Sequence, residues 1–122
     1  MYRFRITLYG VPPPEPLAAT FTAAAEALAA LPRLFFEPDG SFVWAGSAAG
    51  EAWQVDGNLI DRGDRLAYVE LSGRCPPEQF DALLRALDWP QAPLAFHLPQ
   101  SGRTLGESAF RDLAGSPHGA GP

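Results

Sequence analysis

The most regular alternation in the chain lies at its start. Tyr2, Phe4, Ile6 and Leu8 alternate with Arg3, Arg5, Thr7 and Tyr9. A period of two sorts side chains onto opposite faces of a pleated strand, so this segment predicts a strand with one buried and one polar face. The same period returns in Glu51–Ser72, around which the rest of the chain is organised. Trp53, Val55, Gly57 and Leu59 fall on one face of a first arm, and Gln54, Asp56 and Asn58 on the other. Asp61-Arg62-Gly63-Asp64 supplies turn residues. Leu66–Leu71 then returns as a more evenly apolar strand, the pattern of a central position. This hairpin is expected in the middle of an antiparallel sheet.

The flanking segments change period. Val11-Pro12-Pro13-Pro14-Glu15-Pro16 lacks the backbone donors for ladder or helix and predicts an extended connector. Leu17, Phe21, Ala24, Leu28 and Leu31 follow at helical spacing, with Pro16 suited to the first helical position and Pro32 as the stop. Leu34–Phe36 and Ser41–Ala45 flank Pro38-Asp39-Gly40, a turn signal that predicts a second hairpin. Cys75-Pro76-Pro77-Glu78 reads as a helix entrance, followed by the core stripe Phe80, Leu83, Leu84 and Leu87. Pro93–Leu98 is expected as a last strand, at a sheet edge because of its flanking prolines. Leu105, Ala109, Phe110 and Leu113 allow a short helix that closes one end of the core.

The order βαββββαβ predicts an α+β fold. It is a two-layer sandwich in which two helices cover one face of a mainly antiparallel sheet of five to six strands. The arrangement is close to ferredoxin-like, with an extra pair of strands. A chain of 122 residues suits one domain, here 1–114, and the Gly- and Pro-rich stretch 115–122 predicts a disordered tail.

Composition narrows the function classes. An apolar fraction of 47% fits a globular chain, and no apolar run is long enough to cross a bilayer. With no export signal in the sequence, the expected location is the cytoplasm. The net charge of −5 argues against a nucleic-acid binder that works by phosphate neutralisation, although a locally basic face stays possible. Cys75 is the sole cysteine, so no internal disulfide forms, and its neighbourhood favours a structural thiol.

No motif rises to a reaction. The run Asp56–Asp64 is rich in oxygen ligands, but Ile60, Asp61 and Ala67 break the spacing of a calcium loop. Arg62-Gly63-Asp64 spells an integrin-read tripeptide, yet turn chemistry accounts for it. His97 and His118 are the only histidines and do not make a zinc site without converging carboxylates. No metal or cofactor is expected, and an enzyme is less expected than a binder. Two candidate surfaces remain. The polar sheet face would hold Arg3, Arg5, Asp56, Tyr68 and His97, a set able to bind a small polar ligand or to do acid–base work. The aromatic hairpins would present Phe42 and Trp44 as an interface. At least one of Phe35/Phe36 and one of Val43/Trp44 must point away from the helices, because neighbours on a strand face opposite ways. The favoured reading is a protein-interaction or assembly module whose partner is another protein or a second copy of itself. The competing reading is a small-molecule-binding domain or unorthodox enzyme on the polar face.

Overall fold

The computed structural model describes residues 1–121. The first alternating segment forms strand β1 (Tyr2–Tyr9), and its alternation becomes its burial: Phe4, Ile6 and Leu8 are buried while Arg3 and Arg5 are exposed. Strand β4 (Glu51–Arg62) and strand β5 (Arg65–Cys75) make the expected hairpin, joined by Gly63-Asp64. Strand β2 (Leu34–Phe36) and strand β3 (Ser41–Ala48) make the shorter one. Its turn is closed by Gly40 N–H donating to Glu37 O and by Glu37 N–H donating to Ser41 O. Gly40 carries the positive φ of 98° that this turn requires. The Ser41 hydroxyl and N–H both donate to Asp39 Oδ1 and hold that carboxyl below its ordinary range.

Seven strands form one sheet in the order β2-β3-β4-β5-β1-β6-β7, where β6 is Ala95–Leu98 and β7 is Arg103–Leu105. All the pairings between these strands are antiparallel, and β5 sits at the centre. Three helices accompany it: α1 (Phe21–Ala29), α2 (Pro77–Arg85) and α3 (Glu107–Ala114). The α+β class therefore holds, but the sheet is wider than five to six strands and there is a third helix. The ferredoxin-like pattern also fails, because β1 runs antiparallel to both neighbours and the chain after α1 leaves it for the far edge at β2. Strand β6 is not an edge. The three residues Arg103–Leu105 fold back on it, and Pro93 and Pro99 merely bound it.

Two connections differ from expectation for local reasons. The proline run closes into a compact loop, with Gly10 N–H donating to Glu15 O and Glu15 N–H donating to Pro12 O. Helix α1 starts late, because the Thr20 hydroxyl accepts from Ala23 N–H and caps it there. Leu17, placed on the helix by its spacing, instead lies before it as a buried residue whose N–H donates to Leu66 O.

The helices share one face of the sheet. Phe80 of α2 packs edge-on to Phe4 at 5.0 Å, and Phe110 of α3 stacks on Phe96 at 4.6 Å. Ala24 and Leu28 of α1 join the same core cluster. Phe42 and Trp44, expected as interface, belong to this core and are 3% and 4% exposed. The physical reason lies across the register. Phe42 pairs with Gly57, whose missing side chain leaves room for the ring, and Trp44 donates its indole N–H to Pro32 O while packing against Trp53. Their neighbours Phe35 and Val43 are the ones turned outward.

The segment after α3 also has a place. Disorder is the expectation for 115–122; in the structure Ala120 lies beside β1, where β6 does not reach. Ala120 N–H donates to Arg3 O, and Arg5 N–H donates to Ala120 O. Pro122 lies outside the described residues.

Cys75 ends β5 with no exposed surface, and burial pushes its thiol up to about 12 from 9.0. The unfolded thiol ionises first, so this group contributes stability below about pH 9 that is lost as pH rises toward 12. In that window wild type is expected to lose about 1.4 kcal/mol per pH unit more than Cys75→Ala. Denaturant titrations at several pH values check this. Parallel curves for the two proteins contradict it.

Candidate functional site

The face opposite the helices is open. Because every neighbour pair is antiparallel and in register, its side chains form rows across the sheet. One row runs Phe35, Val43, Asp56, Ser72, Arg5 across five strands. At about 4.8 Å per strand it spans about 19 Å. The next row runs Ala45, Gln54, Arg74, Arg3, with Arg33 beside Ala45 through a hydrogen bond from its Nε to Ala45 O. A third runs Ser41, Asn58, Glu70, Thr7, His97, Thr104.

All five residues expected on the polar face are on it, but they do not form one site. Arg5 and Asp56 flank Ser72 and share a concavity of about 330 Å³ with Thr7, Asn58 and Glu70. Asp56 also accepts a hydrogen bond from Gln54 Nε2 at 3.0 Å. Tyr68 and His97 stand at the other end, linked through Tyr9, whose ring centroid lies 5.8 Å from Tyr68 and 6.3 Å from His97. His97 Nδ1 is 2.9 Å from Thr104 Oγ1, so one ring nitrogen is already engaged. Arg3 sits four residues along β1 from Thr7, about 13 Å from the His97 row. Its own surroundings are a groove of about 680 Å³ to whose lining His118 and Gly121 of the C-terminal segment contribute.

Charge is unevenly spread. Arg3, Arg5 and Arg74, three of the nine cations of an acidic chain, crowd one end of this face. Arg74 is held there by Glu51 Oε1 at 3.0 Å and Ala52 O at 2.7 Å. Sequence reasoning missed Arg74, since it does not lie in a clean alternation. Among the described residues no group of three His, Cys, Asp or Glu converges in a way that could hold a metal ion.

The densest polar cluster lies elsewhere, among the helices. Arg111 of α3 lies over the rings of Trp89, Tyr2 and Phe80 at 5.3, 5.8 and 5.8 Å. It pairs with Glu107 Oε2 at 2.9 Å and approaches Asp81 Oδ1 at 2.8 Å, an ion pair off the hydrogen-bond line. Burial lowers the guanidinium pKa, but the hydrogen bonds to Tyr2 and Glu107 and the adjacent charge of Asp81 outweigh it and leave it above its ordinary value. The Trp89 indole N–H also donates to Glu107 Oε1 at 2.6 Å. With its partners all internal, this cluster clamps α3 to α2 and β1.

The chain matches no family model, no curated protein and no solved structure. No helix among the described residues is long and apolar enough to cross a membrane. The functional reading therefore rests on the open face.

Proposed function

We propose that the protein is a non-enzymatic assembly module that docks a second copy of itself through the open sheet face. One observation carries this reading. Phe35 is 73% exposed and lies directly across from Val43, 40% exposed, on the face that no helix covers. A large exposed apolar pair costs hydration free energy and marks contact surface. The same rows supply cations at Arg3 and Arg5 and carboxylates at Asp56 and Glu70. A patch holding both signs can be set cation to carboxylate against its own copy, which an isologous interface requires. The short strand β2 leaves the pair at the sheet edge, where a partner meets no steric barrier from the helices.

Phe35→Ser combined with Val43→Ser removes the apolar pair without touching the core. Sedimentation velocity is expected to show wild type shifting to a larger species with concentration and the double variant at least tenfold weaker in association. Equal association of both proteins would falsify the assignment of this surface.

A further inference from the structure

The 680 Å³ groove beside Arg3 gathers two arginines and a histidine. The chain carries fourteen Asp and Glu, yet no carboxylate side chain lines this groove among the described residues. Arg3, Arg74 and His118 do, together with the polar side chains of Gln54 and Ser72. In the neighbouring 330 Å³ concavity, by contrast, Asp56 and Glu70 offset Arg5.

We propose that this groove binds a small organic oxyanion, a carboxylate or a phosphate ester carrying an apolar body. The anion would meet Arg3, whose guanidinium makes no side-chain hydrogen bond or ion pair among the described residues. Arg74, ion-paired with Glu51, adds N–H donors in a fixed place, because Glu51 and Ala52 O hold its fork and less freedom is lost on binding. The apolar body would lie along Ala45 and Ala52. The volume falls in the range that encloses small ligands, well beyond what a bare oxyanion fills. The C-terminal segment completes the site. Gly119 has a φ of 70° and no room for a Cβ, which would come within 2.8 Å of Arg3 Cβ, so the chain can pass close enough to β1 to contribute to the lining.

The site is separate from the apolar pair, so it is tested in the Phe35→Ser/Val43→Ser background, where self-association does not interfere. Benzoate and phenyl phosphate are titrated at constant ionic strength while amide resonances are followed by NMR. Saturable shifts centred on Gln54, Ser72 and Arg74 are expected with at least one probe, and which probe binds identifies the anion. Arg3→Ala is expected to weaken binding by about tenfold or more, the scale of one charge-assisted hydrogen bond. Arg62→Ala, at the distant β4–β5 turn, should change it less than twofold. No saturable shift with either probe overturns the proposal. So does equal weakening by the two substitutions, because that is bulk charge and not a site.

Discussion

Replacing Phe80 by alanine is expected to cost about 3–5 kcal/mol of unfolding free energy, the range for a fully buried Phe. Phe80 has no exposed surface and is the hub of the aromatic core. Its ring centroid lies 5.0 Å from Phe4, 5.4 Å from Phe110, 5.6 Å from Tyr2 and 6.5 Å from Phe96. Those partners come from β1, α3 and β6, so one deletion opens a cavity shared by four elements. The Arg111 guanidinium also loses one of the three rings beneath it. Relaxation cannot fill such a space cheaply, since its walls are strands fixed by their ladders. Denaturant unfolding of both proteins measures the difference. A loss under about 1 kcal/mol would mean that α2 does not pack here.

Gly73→Ala is the second large effect, at about 3 kcal/mol or more, through backbone and not side-chain contacts. Gly73 lies in β5, between Val55 of β4 and Phe4 of β1, with φ at 138°. A Cβ there would overlap the Gln54 carbonyl oxygen and lie 3.1 Å from the Val55 Cα. Neither atom can move without breaking the central hairpin's ladder. Gly63→Ala gives the contrast. Gly63 has a φ of 67° at the hairpin tip with nothing near its missing Cβ, so it carries only left-handed strain of about 1 kcal/mol. Thermal or denaturant unfolding of the two variants separates steric overlap from strain; equal losses contradict the account.

The sheet's two faces were legible in the sequence where alternation was clean. Tyr2–Tyr9 and Trp53–Leu59 each sort their side chains as their period of two demands. The α2 stripe was legible for the same reason at period 3.6. The hairpin of Phe35, Phe36, Phe42, Val43 and Trp44 was not, because both faces are apolar and the pattern cannot choose between them. Register decides it: Gly57 opposite Phe42 makes room on the helix side, and that sends Val43 and Phe35 outward. Strand β7 had no signal, since Arg103-Thr104-Leu105 lacks an alternating apolar set and is recruited by the open side of β6. Arg3, Arg5, Asp56, Tyr68 and His97 share the uncovered face, whereas Phe42 and Trp44 point into the core. The grouping of the five polar residues was not legible, because distance across the sheet depends on strand order, and β1 lies beside β5 rather than next to its sequence neighbours.

The central claim is that the uncovered sheet face is the contact surface. Amide and methyl resonances of the wild-type protein, followed over a hundredfold range of concentration, test it most directly. The account predicts progressive shifts confined to the rows holding Phe35, Val43, Asp56, Ser72 and Arg5, with α1, α2 and α3 unchanged. Shifts centred on the helices, or a spectrum independent of concentration, would contradict it.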